Sequence, residues 1–296
     1  MERRVMRPIR YRDLGDVGCP IIVYTFGRSG THMVIDMLRR QLRECMTWKY
    51  PGEHNDMLFA SLDSLAAEGF ETRRRSLARL RRCARPLLKT HEYDRSLAAV
   101  TKGHPELADW IRTTGQMVHI VRHPVHAIAS WWRLQQSTLA TNNSHFEVSP
   151  DEFVAYQAQR WTDQALLTSN MFRSFLTLRF EDLKRAPRAC ILAVGENLGM
   201  EPKLGEPMLA REFSSLSHSR RARLTAIRPT SSAIKLNSAS RHPRCQFEWT
   251  PKRLETLICA ASGVMSLYGY KIICGQAHIN IDNLSKPKQF IIGFSA

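Results

Sequence analysis

Long apolar runs are missing from this 296-residue sequence. No stretch approaches the ~18 to 20 apolar residues that a helix needs to cross a bilayer. The opening residues Met1-Glu2-Arg3-Arg4 are followed by more charge rather than by the apolar core of a signal peptide. We therefore predict a cytoplasmic protein with no membrane span.

Paired cysteines are also missing. The seven cysteines are scattered along the chain, and none belongs to a C-x-x-C pair. Disulfide frameworks and structural zinc sites both depend on such closely spaced thiols. The sequence therefore predicts reduced thiols packed as small hydrophobic side chains, and no metal site.

Acidic residues are scarce relative to basic ones. The chain has 43 Lys and Arg against 27 Asp and Glu, which gives a net charge of +16. Nucleic acid, an anionic surface or a polyanionic small ligand would each suit this balance. The two basic clusters, at 73–85 and 220–244, lack interleaved aromatic residues and match no nucleic-acid-binding module. We predict solvated faces for most of these side chains, no nucleic-acid partner, and a few cations at an anionic ligand site.

Apolar strand-like runs alternate with amphipathic segments. The predicted strands are 20–26, 86–89, 116–121 and 174–180, the predicted helices are 31–45, 57–83, 124–137, 150–169, 187–198 and 251–268, and the predicted loops are 47–57, 138–149 and 214–246. Ser149 is a predicted N-cap, and Gly199 a predicted C-terminal cap. The alternation predicts an α/β fold, a central parallel sheet flanked by helices on both faces, with ligands at the carboxyl ends of the strands. The length suits one domain over 1–296 with its core at about 20–270.

The first predicted strand leads directly into Gly27-Arg28-Ser29-Gly30-Thr31-His32 and then into a helix. Backbone N–H groups at a helix start are unpaired and carry the positive end of the dipole, so they bind phosphate. The glycines allow close approach, the hydroxyls add donors and the arginine adds a permanent cation. The nucleotide-triphosphate loop is different, because four residues separate its glycines and a lysine follows them, whereas two residues separate Gly27 from Gly30. The segment predicts a phosphate-binding loop of another type.

Lys89-Thr90-His91 ends the second predicted strand. Residues two apart on a strand project to the same side, so Lys89 and His91 would share one side of the sheet edge. A histidine there can take a proton, and a lysine can stabilise negative charge. Taken alone, the triplet more often represents a surface lysine and a hydrogen-bonded loop histidine.

Two further motifs follow later strands. Arg122 ends a strand, and Ser130 lies about two turns into the next predicted helix, so both could reach one phosphate monoester. Alternatively, Arg122 pairs with a carboxylate and Ser130 faces solvent. The other motif, Phe180-Glu181-Asp182-Leu183, ends the last predicted strand, and Asp182 is predicted to cap a helix.

In this order and spacing, the four motifs resemble those of sulfotransferases that use 3′-phosphoadenosine 5′-phosphosulfate (PAPS). The 5′-phosphosulfate loop of that family has an aromatic residue, proline, a basic residue, Ser-Gly-Thr, and then Thr or His. Residues 26–32 match it, except that Gly27 replaces the proline. The Lys-Thr-His strand end of the family is matched by residues 89–91.

The 3′-phosphate motif of the family has an arginine and a serine eight residues apart. Arg122 and Ser130 keep that spacing, with His123 where the family has Asn or Asp. Residues 180–183 match its aromatic-Glu-Asp-Leu motif, and the resemblance covers about residues 20–270.

The resemblance implies transfer of a sulfuryl group from PAPS to a hydroxyl or amine of a small-molecule or carbohydrate acceptor, without a metal. It implies that His91 is the general base, and that Arg28 and Lys89 stabilise charge on the sulfuryl group and the leaving phosphate. The implied donor-binding residues are Gly27, Arg28, Ser29, Gly30, Thr31 and His32 for the 5′-phosphate, Arg122 and Ser130 for the 3′-phosphate, and Phe180 beside the adenine.

The family often has a C-terminal R-K-G-x-x-G-x-W loop that closes on the 3′-phosphate. The nearest segment here, 241–249, has arginines and a tryptophan but no glycine, which makes Arg241 and Arg244 candidate 3′-phosphate contacts. Trp131, Trp132 and residues 134–146 are expected either to approach the acceptor or to pack in the core. Two alternatives stay open, a non-catalytic nucleotide-binding family member and a P-loop kinase. The kinase would need a loop lysine and a magnesium-binding Asp, and neither is found in place.

Overall fold

The computed structural model describes residues 7–47, 58–66, 70–141, 148–171, 175–205, 208–209, 247–270, 272–275 and 278–280. The predicted loop 214–246 lies outside the described residues, and so do the candidate phosphate contacts Arg241 and Arg244.

The described residues form a parallel five-stranded sheet with strand order β2-β3-β1-β4-β5. The strands are β1 (Ile21–Thr25), β2 (Ala60–Ser61), β3 (Leu87–Thr90), β4 (Gln116–Val121) and β5 (Phe175–Arg179). In the centre, Ile21 lies opposite Leu87 on one side and Gln116 on the other. A separate antiparallel pair, β6 (Ile273–Gly275) and β7 (His278–Asn280), follows near the C-terminus.

Helices surround this sheet. They are α1 (Tyr11–Leu14), α2 (Thr31–Gln41), α3 (Leu62–Ala66), α4 (Phe70–Leu80), α5 (Tyr93–Gly103), α6 (Pro105–Thr114), α7 (Pro124–Thr141), α8 (Pro150–Met171), α9 (Phe180–Arg185), α10 (Pro187–Leu198) and α11 (Pro251–Leu267). No helix within the described ranges is both long and apolar enough to span a membrane.

Both faces of the sheet are covered, as the fully buried β1 requires. Ile21 and Val23 belong to a core cluster with residues of α2 and α10. Their neighbours Ile22 and Tyr24 point the other way, into a cluster with residues of α5 and α6. The predicted α/β fold with helices on both faces is therefore confirmed.

Three boundaries differ from the prediction. The predicted helix 57–83 contains the edge strand β2 and two separate helices, α3 and α4. Helix α2 ends at Gln41 because Leu42 turns to an extended backbone and bridges to Pro202. Helix α7 continues through Thr141 rather than ending at 137, since no glycine or proline interrupts residues 138–141.

The predicted caps Ser149 and Gly199 form as expected, and Thr250 is a further cap that the sequence analysis does not name. Ser149 and Glu152 exchange hydrogen bonds at the start of α8 in a capping box. Thr250 accepts a bond from the Arg253 backbone at the start of α11. Gly199 ends α10 in a left-handed conformation, with φ of 65°.

Candidate active site

The four sequence motifs meet at one edge of the sheet. The phosphate loop follows β1, Lys89 and His91 lie at the end of β3, Arg122 follows β4 and Phe180 follows β5. Because all these strands are parallel, their carboxyl ends lie along the same edge. The topology therefore brings together segments that are far apart in sequence.

The phosphate loop is a tight turn between β1 and α2. The Ser29 backbone N–H donates to the Phe26 carbonyl over 3.1 Å. Arg28 and Gly30 both have left-handed backbones, with φ of 69° and 96°. Such a φ is uncommon for a side chain as long as arginine, and strained backbone of this kind concentrates at functional sites.

A glycine at position 27 is required by its neighbour Trp131. A Cβ atom at Gly27 would lie only 1.2 Å from Cζ3 of the Trp131 ring. The same ring packs against Phe26, with ring centroids 5.7 Å apart. Because the indole fills this space, the loop of this chain has no room for the family's proline.

Phe180 packs against the other glycine of the loop. A Cβ at Gly30 would lie 2.4 Å from Cδ2 of Phe180. The Arg122 guanidinium lies over the same ring, 4.6 Å from its centroid. Arg122 also donates from Nη1 to the Arg28 carbonyl over 2.8 Å, so the motifs after β4 and β5 both close onto the phosphate loop.

Arg28, Arg122 and Arg133 form a group of mutually repelling cations beside the loop, and one of them contacts the buried Ser130. Arg28 donates from Nε to Ser130 Oγ over 3.3 Å. Burial, followed by repulsion from Arg133, lowers the pKa of Arg28. Burial also lowers the pKa of Arg122 to about 10, although the charge of Glu181 opposes the shift. The concentration of positive charge suits a polyanion.

Arg133 is a member of this group that the sequence analysis missed. It lies three residues after Ser130 on α7. Residues three apart on a helix lie on the same face. This spacing was the signal that could have identified it.

Two buried polar atoms at the loop lack a hydrogen-bond partner among the described residues. They are the hydroxyl oxygen of Ser29, which is fully buried, and Nε of Arg122. Buried polar groups are nearly always hydrogen-bonded, so each such atom calls for a reason. The phosphate groups of a bound polyanion would supply acceptors for both donors.

His91 is held in one orientation by β1. Its Nδ1 lies 2.8 Å from the Thr25 carbonyl and 3.1 Å from Thr25 Oγ1. Since a carbonyl only accepts, Nδ1 carries the hydrogen and Nε2 carries the lone pair. Gln164 of α8 also donates to the His91 carbonyl over 2.6 Å, which fixes the backbone. The arrangement leaves a basic nitrogen on His91.

Lys89 lies beside His32 at the start of α2. The Lys89 Nζ and His32 Nε2 atoms are 3.3 Å apart. Burial, with repulsion from Lys89, His91 and Arg28, lowers the pKa of His32 to about 3. The imidazole is therefore neutral near pH 7, and its Nε2 can accept a hydrogen bond from Lys89. This contact places His32 against the lysine.

Asp182 does not cap a helix, so that prediction was wrong. Helix α9 starts at Phe180 directly after β5, and its N-cap residue Arg179 makes no side-chain cap bond. Asp182 instead accepts from Arg179 Nε over 2.6 Å and from Arg185 Nη2 over 2.8 Å. The strand and helix follow each other without a loop, which moves Asp182 past the capping position.

Glu181 has a role that the sequence did not reveal. Its Oε1 accepts from the His123 backbone N–H over 3.1 Å, and its Oε2 accepts from the Tyr270 hydroxyl over 2.7 Å. Tyr270 follows α11 and is buried. These bonds fix the turn after β4 that carries Arg122.

Both adjacent tryptophans are half-buried and pack on the same core cluster. Trp132 packs edge-on against Phe153 and Phe247, with centroids 5.1 and 5.6 Å apart. Trp249, the tryptophan of the 241–249 segment, lies 4.9 Å from Phe247 by the same measure. Trp131 differs in that its ring also lies against the phosphate loop.

Among the described residues, no group of three or more His, Cys, Asp or Glu side chains could hold a metal ion.

Comparison with known proteins matches residues 19–252 to the sulfotransferase domain family. No curated protein sequence matches the chain. Similar solved structures include the sulfotransferase domain from the curacin biosynthetic pathway, at 12% identity and a TM-score of 0.48, covering 86% of this chain and 99% of that chain. Retinol dehydratase in complex with androsterone and inactive cofactor PAP matches at 13% identity and a TM-score of 0.43, covering 87% of this chain and 82% of that chain. A sulfotransferase from Mycobacterium tuberculosis matches at 14% identity and a TM-score of 0.45, covering 86% of this chain and 79% of that chain.

Proposed function

The chain belongs to the sulfotransferase family, and we propose that it transfers a sulfuryl group from PAPS to a hydroxyl or amine of a small-molecule or carbohydrate acceptor. The observation that carries the proposal is the pair of buried donors, Ser29 Oγ and Arg122 Nε, which have no partner among the described residues. Both belong to motifs that surround the phosphate loop.

The donor would be held by its two phosphate ends. The backbone N–H groups at the start of α2, with Ser29 and Arg28, would bind the 5′-phosphosulfate. Arg122 and Ser130 would bind the 3′-phosphate, and the contact between Phe180 and Gly30 would set the floor beneath the adenine. Because these cations already repel one another, a polyanion would relieve their repulsion as well as satisfy their donors.

The proposed reaction is an in-line displacement at sulfur. His91 Nε2 takes the proton of the acceptor hydroxyl or amine, and the acceptor atom forms a bond to sulfur. The bond from sulfur to the phosphate oxygen breaks, and adenosine 3′,5′-bisphosphate (PAP) leaves. Arg28 and Lys89 stabilise the charge that develops on the bridging oxygen. The hydrogen bond from His91 Nδ1 to Thr25 would keep the basic nitrogen directed at the acceptor.

The donor assignment is tested by calorimetry with PAP and ADP. PAP should bind more tightly, by a factor on the order of 30 or more, because only PAP carries the phosphate that Arg122 would pair with. Arg122→Ala should remove most of that difference, and the exposed control Arg95→Ala should keep it. Equal affinity of the unmodified protein for the two nucleotides would overturn the 3′-phosphate assignment.

The reaction is tested by single-turnover transfer from radiolabelled PAPS. His91→Ala should lower transfer by ~10²–10⁴-fold and leave PAP affinity nearly unchanged, because a general base acts only on the acceptor. Arg28→Ala should weaken both. Transfer should also persist in EDTA, since Arg28, Lys89 and the backbone donors of the loop would supply the charge stabilisation without a divalent metal. PAP binding without turnover on a broad acceptor panel would instead favour a non-catalytic family member, and loss of turnover in EDTA would favour a kinase.

A further inference from the structure

A pocket of about 260 Å³ lies beside the proposed reaction centre, between the start of α5 and the middle of α8. It is lined by Glu92, Tyr156, Gln159, Arg160, Asp163 and Gln164. Its volume is a little below that of most ligand sites, which usually begin near ~300 Å³. A single ring-sized unit is what such a space would take.

The pocket is tied to the base through α8. Gln164 donates from Nε2 to the His91 carbonyl over 2.6 Å. Arg160 forms an ion pair with Glu92, the residue that follows His91 in sequence. Both links attach pocket-lining residues to the segment that carries the proposed base.

The pocket is also tied to the phosphate loop. The Arg160 guanidinium lies over the Trp131 ring, 5.4 Å from its centroid. Trp131 in turn fills the space beside Gly27. The lining residues are therefore linked to the backbone of His91 by Gln164, and to the donor loop through the Trp131 ring by Arg160.

The lining combines polar side chains with apolar surface. Two carboxylates, two amides, one guanidinium and one phenol line the pocket, but most of the surface that they turn to it is apolar. Glu92 is paired with Arg95 and Arg160, whereas Asp163 accepts a hydrogen bond from the neutral amide of Gln159. The polar groups can hydrogen-bond the hydroxyl groups of a ligand, and the charge of Asp163 disfavours an anionic acceptor.

Tyr156 adds an exposed aromatic face, with 64% of its surface accessible. It lies one turn from Gln159 and Arg160 on α8. An aromatic face beside carboxylate and amide groups can cover the apolar face of a ring while its neighbours bond the hydroxyl groups.

Resting on the proposed sulfotransfer, we propose that this pocket is the acceptor subsite and that it takes a neutral or amine-bearing sugar unit. The hydroxyl or amine to be sulfated would face His91, and the rest of the ring would lie against Tyr156 and Asp163. Phenols, and sugars that carry carboxylates, would be poorer acceptors.

The test is saccharide binding to the protein with and without an excess of PAP, measured by saturation-transfer NMR. Cellobiose and the glucosamine disaccharide should bind, whereas 4-nitrophenol and a glucuronic-acid disaccharide should bind more weakly. Tyr156→Ala and Asp163→Asn should each weaken saccharide binding about 10-fold. Asp94→Asn, an exposed carboxylate on α5 outside the pocket lining, is the matched control and should change nothing.

PAP affinity and PAPS hydrolysis measured on the same samples separate the two proposals. Normal PAP binding without saccharide binding would overturn the pocket assignment and leave sulfotransfer standing. Saccharide binding that is unchanged in both pocket variants would also overturn the pocket assignment. Saccharide binding that these variants weaken, in a protein that does not bind PAP, would uphold the sugar site and overturn sulfotransfer.

Discussion

At the scale of single residues, Gly27 shows why a departure from a family motif need not weaken a site. The loop sequence predicts phosphate binding, but it does not contain the reason for the glycine. That reason is the Trp131 ring, which occupies the space a Cβ would need. Because the tryptophan lies far away in sequence, on α7, only the packed structure connects the two positions.

This pairing predicts strong coupling between the two residues. Gly27→Ala should destabilise the protein by ~1–3 kcal/mol, since it overpacks a filled space. In the background of Trp131→Ala the same change should cost much less, which gives a coupling energy of ~0.5–3 kcal/mol in a double-mutant cycle measured by urea unfolding. Gly263→Ala on α11, where a Cβ would meet nothing within 4 Å, is the control and should be neutral or stabilising. Additive costs at positions 27 and 131 would refute the packing argument.

Arg133 is the second residue-scale case. Its charge lowers the pKa of both Arg28 and Arg122, so it belongs to the same cationic group. Arg133→Ala should weaken PAP binding about 10-fold, the usual loss for a charge-assisted contact. Arg95→Ala removes the same charge from an exposed side chain and should have little effect. Equal losses for the two variants would reduce the role of Arg133 to long-range electrostatics.

At the scale of elements, the strongly patterned segments were predictable. Strands β1, β4 and β5 are apolar runs between clear breaks, and α10 and α11 carry proline at their first turn. A parallel sheet then forces the residues after each strand to one edge. The meeting of the four motifs therefore followed from the sequence.

Other elements were not predicted, for different reasons. Strand β2 has only two residues and pairs at the sheet edge, so it has no pattern of its own. Helices α5 and α6 fill residues 93–114, for which the sequence analysis predicts no element although buried Tyr93, Leu97 and Val100 have helical spacing. Contacts such as that of Lys89 with His32 join side chains from two elements, and no local pattern encodes them.

The contact between Tyr270 and Glu181 joins the segment after α11 to the turn after β4. Tyr270→Phe should weaken PAP binding several-fold, because Glu181 would lose the donor that helps it hold the His123 backbone beside Arg122. Tyr268→Phe is the matched control, since that hydroxyl donates to the Ala165 carbonyl on α8 instead. Both variants should lose some stability, by about 1 kcal/mol. If both variants lose the same amount of PAP affinity, the loss reflects a general destabilisation of the fold, and Tyr270 does not specifically position Arg122.

At the scale of the whole molecule, the excess positive charge is concentrated at particular places rather than spread evenly over the surface. The net charge is +16, yet the pocket beside α8 carries the carboxylates Glu92 and Asp163, while Arg28, Lys89, Arg122 and Arg133 lie at the loop edge. Composition alone could predict an anionic partner, but not on which side of the proposed base the carboxylates would lie. That division depends on which helix faces lie next to the strand ends.

The stability of the whole protein should depend on pH through histidines buried in neutral form. His119 of β4 is 2% exposed and stacks on Tyr24 at 5.2 Å between ring centroids, and burial lowers its pKa to about 3. In the unfolded chain its pKa returns to about 6.5, so between those values the unfolded state binds more protons than the folded state. The contribution of His119 to the free energy of unfolding is therefore fully present above pH 6.5, and it is lost as the pH is lowered towards 3.

Between pH 6 and 5, where few carboxylates titrate, His119 should contribute a slope of about 1 kcal/mol per pH unit. His119→Gln should lower the slope of unfolding free energy against pH by that amount, as measured by urea titrations across this window. Ile22→Val, a core change on β1 that removes no titrating group, should lower stability and leave the slope unchanged. Parallel curves for the unmodified protein and His119→Gln would mean that His119 binds its proton in the fold as readily as in the unfolded chain. The burial of β4 would then not be the source of acid sensitivity.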